Sequence, residues 1–368
     1  MNITGYVRYK GKYSFEEMEF NDVDALIFSE LAYMNFDLVA PTIHNPKKKG
    51  VKVKNIPLKN LSALSYGSVD AKKNEAMLKL MQKSKRYKDV EVAFTHRILD
   101  QDNANQFFAV TFIFPNGDAY ISYRGTDITM IGWKEDLLMT FNPSILSQKE
   151  AHEYFKCVIH YLEGNFYLGG HSKGGNLATY VSFKMGKKYE DRLIKSYSFD
   201  GPGFKDGIKQ FDSYPRIKHK LVKYITYNDF VGMVFNNHES PFVVYSTGVL
   251  LGGHDPFYWK ISSREDSFKL MKDRSALSKK SERGLVAWMD EFDDEDKSLA
   301  VDDLFRIFKR VHTLYDLLRY GIPDIATRNK ILMQYEEEKR NRVKLILNKL
   351  ILYQVKSITT SIDKDFKR

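Results

Sequence analysis

Gly170-His171-Ser172-Lys173-Gly174 sets one serine between two glycines at the G-x-S-x-G spacing. A serine hydroxyl is well placed to attack a carbonyl when a sharp strand-to-helix turn pushes it out of the sheet, beside a backbone N–H that can hold the developing oxyanion. Such a turn strains the serine backbone, and side chains two residues to either side would block the approach of strand to helix. The flanks fit. Asn165 to Leu168 is a short apolar and aromatic run that reads as a buried strand, and a helical pattern follows from Asn176. The amide of Lys173 then falls at a helix N-terminus, aimed at the point where the hydroxyl emerges. The chemistry implied is acyl transfer through a serine ester.

That chemistry needs a histidine to take the serine proton and an acid to orient the histidine, in the chain order serine, acid, histidine. Of nine histidines, five precede the turn or lie in it, leaving His219, His238, His254 and His312. His219 sits in a Lys-rich approach to a strand, and His312 lies in a helical pattern. His254, in Gly252-Gly253-His254-Asp255-Pro256, occupies a loop following a strand, where a base can sit. His238, in Asn236-Asn237-His238-Glu239, is the second choice. For the acid, Asp229 ends the strand-like Tyr224 to Tyr227. Asp200 ends the preceding strand in Phe199-Asp200-Gly201-Pro202-Gly203 and stays open as the alternative. Both would lie at the carboxyl edge of the sheet, where sites collect. Tyr123-Arg124-Gly125-Thr126-Asp127 closes an earlier strand. Thr126 there offers a backbone N–H and a hydroxyl for an oxyanion, although the same residues also make an ordinary turn.

The elements that must position these groups alternate. Val23, Leu26, Ile27, Leu31 and Met34 mark a helix from Asp22 to Phe36 with Asn21 as its cap. Residues 38–70 read as irregular and basic, and 71–85 as helical. Gln106 to Phe114, a Pro115-Asn116-Gly117-Asp118 turn and Ala119 to Tyr123 make a hairpin. A helix with Ala151, Tyr154, Phe155, Val158, Ile159 and Leu162 on one face leads to the strand before Ser172. Ile194 to Phe199, Leu221 to Tyr227 and Phe242 to Ser246 read as further strands. Strands alternating with helices predict a mostly parallel sheet covered on both faces, an α/β class. From Ser262 onward strand signals stop, and helices are expected over Leu285 to Phe292, Leu304 to Tyr320 and about Asn329 to Ile358. The predicted division is an α/β core over 1–261 and a helical extension over 262–368 packed on it.

Taken together, Tyr123 to Asp127, Trp133-Lys134-Glu135-Asp136, Gly170 to Ala178 and Asn228-Asp229-Phe230-Val231 resemble the class 3, or fungal-lipase-like, lipases. More closely the chain is similar to a bacterial family of lipase-like proteins of unknown function. Asp24-Ala25-Leu26, Leu31-Ala32-Tyr33, Phe199 to Gly203, Asn228 to Gly232 and His254-Asp255-Pro256 with Trp259 carry that resemblance, across roughly residues 20 to 260. It implies an α/β-hydrolase fold and an ester hydrolase, with Ser172 as nucleophile, Asp229 as acid, His254 as base, and Thr126 with the Lys173 amide as oxyanion hole. Asp229 follows Ser172 by 57 residues and His254 follows Asp229 by 25, room for the intervening elements. It also implies a lid over Ile128 to Trp133, with Met130, Ile131 and Trp133 as its apolar underside; a plain loop fits equally. Arg124 is expected to brace its loop. Lys173 departs from the leucine usual in class 3 lipases and suggests a polar mouth unsuited to triglyceride.

Composition narrows the class. The 368 residues are 43% hydrophobic, enough for a large core, and no run approaches the roughly 18 apolar residues of a membrane span. With no leader-like segment at Met1 to Lys12, the expectation is a soluble, cytoplasmic protein. Cys157 is the single cysteine, so no internal disulfide can form, and its helical pattern suggests a core position. No metal or cofactor is needed for the chemistry above. The net charge of +10 is concentrated in Lys47 to Lys59 and in the tail from Lys339, which holds nine basic and two acidic residues. Such runs are ordinarily solvated faces, and no nucleic-acid motif accompanies them. Val343, Ile346, Leu347, Leu350, Ile351, Val355 and Ile358 form an apolar stripe rimmed by Arg342, Lys344, Lys349 and Lys356. It fits a helix packed on its own protein or, as the alternative, one lying on an anionic membrane. A small-molecule or lipid ester is the expected substrate.

Overall fold

The computed structural model describes residues 1–299 except 69, 101, 103–104, 128–134, 136–137, 140–143, 230, 235–239 and 249–250, and beyond 299 only 337, 341 and 345. The predicted lid, His238, His312 and the helix expected over Leu304 to Tyr320 lie outside the described residues, as do the helix expected over Asn329 to Ile358 and the basic tail with its apolar stripe apart from residues 337, 341 and 345.

The hydrophobic pattern of the hairpin dictates the centre of the molecule. Along β3 (Asn105–Ile113), Phe108, Val110 and Phe112 point into one core, while Phe107 and Ala109 point into another. A strand buried on both faces must be covered twice. Among the described residues, nine strands form one sheet in sequential order: β1 (Val51–Lys52), β2 (Glu91–Asp100), β3, β4 (Ala119–Tyr123), β5 (Phe166–His171), β6 (Leu193–Phe199), β7 (Leu221–Thr226), β8 (Phe242–Val244) and β9 (Leu270–Met271). β1 to β4 pair antiparallel, β4 to β8 parallel, and β9 returns antiparallel. The tight turn at Gly117, with φ +86°, suits the β3–β4 hairpin, whereas each parallel pair needs a crossover.

On one face, Ile3, Tyr6, Leu26, Phe28, Tyr120 and Trp259 share a core. On the other, Tyr123, Phe155, Leu168, Leu177 and Val181 do so. The helix Asp22–Leu31 begins at Asn21 in a capping box with Asp24, as its sequence predicts, and ends earlier than expected, the chain turning into a 3₁₀ segment at Phe36–Leu38. Asp24 also accepts from Tyr87 at 2.6 Å and pairs with Arg86, both members of that ion pair being fully buried. The strands expected after the serine turn are found within a residue or two of their predicted ends.

Three local features depart from the sequence reading. β2 lies in a stretch to which that reading assigns no element; its 10 residues bend at Ala93/His96 with Phe94 at φ 52°, which breaks the alternation that marks a strand. β9, with the Ile261 to Phe268 bridge, carries the sheet past residue 262, where strand signals end; two residues are too few to show a period. Cys157 is exposed, since the helix Leu146–Val158 turns Tyr154, Phe155 and Val158 inward and leaves position 157 on the outer face.

Candidate active site

β5 delivers Ser172 to the carboxyl edge of the sheet, and the helix Lys173–Lys184 starts immediately after it. Ser172 has φ 58° and ψ −132°, a conformation that a non-glycine residue holds only where its surroundings force it. The flanking glycines explain the enforcement. A Cβ on Gly170 would lie 2.4 Å from the Gly174 carbonyl carbon, and one on Gly174 would lie 2.0 Å from the Tyr123 oxygen. The end of β4 therefore presses on the turn. Gly125 does the same from above, where a Cβ would come within 3.0 Å of Ser172 Cβ and 2.5 Å of the His171 oxygen. Thr126 follows it in the chain and is half-buried. The Lys173 amide is the first of its helix and has no acceptor within the helix.

His254 ends the short helical turn Leu251–His254, not an open loop. Its Nδ1 donates to Asp200 Oδ2 at 2.7 Å. Its ring lies against that of His171, with centroids 4.4 Å apart, which brings it beside the residue preceding Ser172. His171 Nε2 donates to the His254 backbone oxygen at 2.9 Å, and His171 Nδ1 receives the Tyr33 hydroxyl at 3.0 Å. Burial holds this imidazole well below the usual histidine range, so it is neutral, and its single N–H is committed to locating His254. Trp259, fully buried, donates Nε1 to the Gly253 oxygen at 3.2 Å and fixes the same turn from behind.

Asp200 sits where β6 ends, at φ 51°, with no exposed surface. Its Oδ1 accepts from the Thr226 amide at 3.3 Å. Burial pushes this carboxyl up to about 6, against the opposing pull of Asp229, the Thr226 amide and Lys223. Asp229, the preferred acid on sequence grounds, stands one step behind. Its Oδ1 accepts from the Gly232 amide at 2.8 Å, and its carboxyl contacts that of Asp200. The contact with His254 Nδ1 thus falls to the alternative acid.

Lys173 corrects another expectation. Its side chain is 1% exposed, turned away from any mouth. Nζ donates to Glu135 Oε2 at 2.6 Å and to the Gln106 oxygen at 2.8 Å. Glu135 also accepts from Ser147 Oγ at 2.5 Å and from the Ser147 and Gln106 amides, each at 3.3 Å. The ion pair ties the segment after Asp127 to the start of the serine helix, and a polar mouth does not follow from it. Arg124 lies buried over Phe108, 4.7 Å from its centroid, and donates to Asn35 Oδ1 at 3.3 Å, a brace for its loop. Sequence reasoning assigned no part to Tyr33, His171 or Glu135. Each sits in a motif that carries the family resemblance, but their contacts run across 12 to 138 residues of chain and leave no periodic signal.

A mixed sheet, parallel in its centre rather than through most of its width, with a strained serine at a strand-to-helix turn and a His–Asp pair delivered to the same edge, is an α/β-hydrolase architecture. The chain belongs to the Mbeg1-like family, which it matches over residues 81–306. No curated protein matches its sequence. Among solved structures it is similar to M37 lipase at 15% identity and a TM-score of 0.37, covering 58% of this chain and 69% of that one. It is similar to a mutant form of MDLA from Penicillium cyclopium at 15% identity and 0.41, covering 67% and 83%. For the Rhizomucor miehei lipase propeptide complex the values are 13% and 0.34, covering 61% and 74%. No helix among the described residues is long and apolar enough to cross a membrane.

Proposed function

We propose that this protein is a serine hydrolase that cleaves carboxylic esters through an acyl-enzyme. The observation that carries the reading is the 2.7 Å bond from His254 Nδ1 to Asp200, made by a ring that lies against the neighbour of a strained Ser172. With Nδ1 protonated and donating, Nε2 is the nitrogen with a lone pair for the serine proton. Ser172 Oγ attacks the ester carbonyl as its proton passes to Nε2, forming a C–O bond and a tetrahedral oxyanion. The amides of Lys173 and Thr126 hold that charge. Collapse breaks the bond to the leaving alcohol, which takes the proton from Nε2. Water then repeats the sequence on the acyl-enzyme and releases the acid. Asp200 stabilises the imidazolium that forms in each half. A lipid or small-molecule ester is the substrate class this chemistry serves.

The test is fluorophosphonate labelling of the full chain, with the modified residue located by mass spectrometry. Labelling at Ser172 that disappears in Ser172→Ala and falls by about 10³ or more in His254→Ala is the expected result. An intact fold that does not label would sink the catalytic reading and leave a hydrolase-fold binding module.

A further inference from the structure

Two carboxyl groups and one imidazole meet at the ends of adjacent parallel strands, and a triad needs only one of the carboxyls. Asp200 and Asp229 are 0% and 2% exposed. Asp200 has both oxygens engaged by donors, His254 Nδ1 on Oδ2 and the Thr226 amide on Oδ1. Asp229 has one: Oδ1 accepts from the Gly232 amide, while the buried Oδ2 receives no hydrogen bond from any described residue. A buried carboxylate oxygen without a donor is expensive, and two anions in contact more so. One proton on Asp229 Oδ2, shared with Asp200, removes both costs.

We propose that Asp229 is a protonated carboxyl that donates from Oδ2 to Asp200, a positioning residue that keeps Asp200 ionised and aimed at His254. This rests on the hydrolase reading for its catalytic meaning. The directions of titration agree: burial and the neighbouring Asp200 charge push Asp229 well above the usual carboxylate range. The other groups facing the cluster are His254, Lys223 on β7 and Arg274 ahead of the helix Ala276–Glu291. Lys223 is buried as well, and burial lowers it to about 8, against the pull of both aspartates. Its charge favours one anion on the pair; two anions would exceed it. The backbone is built for the contact. A Cβ on Gly232 would lie 2.6 Å from Asp200 Oδ1, and Ser278 Oγ holds the Asp229 carbonyl at 2.5 Å.

The proposal separates residues that a serine–histidine–acid count cannot. Asp229→Asn keeps a donor toward Asp200 and an acceptor for Gly232, so fluorophosphonate labelling should stay within about 3-fold of wild type. Asp200→Asn removes the anion beside His254 and should slow labelling by about 10³ or more. Asp229→Leu, of similar size with no donor, should slow it by about 10-fold or more and move the acid limb of its pH profile to higher pH. Asp229→Asn should leave that limb in place. A reversed order, with Asp229→Asn crippled and Asp200→Asn active, would overturn the proposal. A second readout needs no activity. Infrared difference spectra at pH 7 between wild type and Asp229→Asn should show the C=O band of a protonated carboxyl in the wild type alone. Its absence would refute the shared proton even if Ser172 labels, and its presence would uphold it even if Ser172 does not.

Discussion

The Lys173–Glu135 pair gives the sharpest quantitative prediction, because both members are buried and their remaining partners differ. If Glu135 becomes Gln, the Lys173 ammonium keeps one acceptor, the Gln106 oxygen at 2.8 Å, and loses the only charge within contact in its described surroundings. If Lys173 becomes Met, the Glu135 carboxylate keeps three donors: Ser147 Oγ, the Ser147 amide and the Gln106 amide. Stranding one member of a buried pair costs about 3–5 kcal/mol. The cation has fewer substitutes, so Glu135→Gln should fall at the upper end, about 4 kcal/mol, and Lys173→Met at the lower, about 3. The double variant removes the unpaired charge, so its cost should fall short of the sum by about 2 kcal/mol or more. With a urea slope of about 3 kcal/mol/M, the single variants should lose about 1 M in midpoint.

Urea unfolding of the four proteins, followed by tryptophan fluorescence, measures this directly. Costs below about 1 kcal/mol for both single variants, or strict additivity in the double, would refute the claim that this is a dry, coupled pair. The same variants test the placement of the lysine. Lys173 contributes its backbone amide to the proposed oxyanion hole, and that amide survives Lys173→Met. Labelling of Ser172 should therefore stay within about 10-fold in the folded fraction, where removal of a true oxyanion donor costs about 10²–10³.

Three further outcomes follow from the same geometry. Asp200 is held at about 6 against an ordinary 3.8, so the folded state binds this proton more tightly than the unfolded chain. Its stabilising contribution is present below about 3.8 and is lost as pH rises to about 6, roughly 3 kcal/mol in all. Asp200→Asn should flatten that part of the urea-midpoint profile, while in the wild type labelling should rise over the same interval. Gly174→Ala puts a methyl 2.0 Å from the Tyr123 oxygen, and should cost more than about 4 kcal/mol or abolish soluble expression; a stable, labelling-competent Gly174→Ala would refute the enforced turn. Cys157, on the outer face of its helix, should react completely with a small thiol reagent under native conditions. Protection until the protein unfolds would contradict its placement.

How far the sequence could be read depended on the range of the interaction. Features set by neighbours in sequence were legible: the Asn21 cap, the hairpin around Gly117, and the glycines at 170 and 174. Features set by distant partners were not. β2 was hidden by its bulge and β9 by its brevity. The side chain of Lys173 looks like a mouth cation until Glu135, 38 residues earlier, is placed against it. Tyr33 and His171, whose shared hydrogen bond spans 138 residues, gave no local sign that they would locate the His254 turn.

The choice between the two aspartates shows the same limit at the point where it matters most. Asp200 follows β6 and Asp229 follows β7, and those strands pair in parallel, Phe199 beside Tyr224. Any rule based on chain order admits both, because both lie after the serine and before the histidine. What divides them is backbone conformation. Asp200, at φ 51°, turns straight off its strand, and its amide is held by the Tyr224 oxygen at 2.7 Å. Asp229 lies three residues beyond the end of β7, its amide bonded to the Thr226 oxygen at 3.0 Å. The tight departure presents Asp200 to the imidazole, and the longer turn leaves Asp229 behind it, beside Lys223. Asparagine shares aspartate's tolerance of positive φ, so Asp200→Asn should hold the turn while removing the charge. Loss of labelling in that variant would then report the chemistry of the pair, and a refolded edge would show itself as a changed near-ultraviolet spectrum from Trp259, which packs 6.2 Å from Phe199.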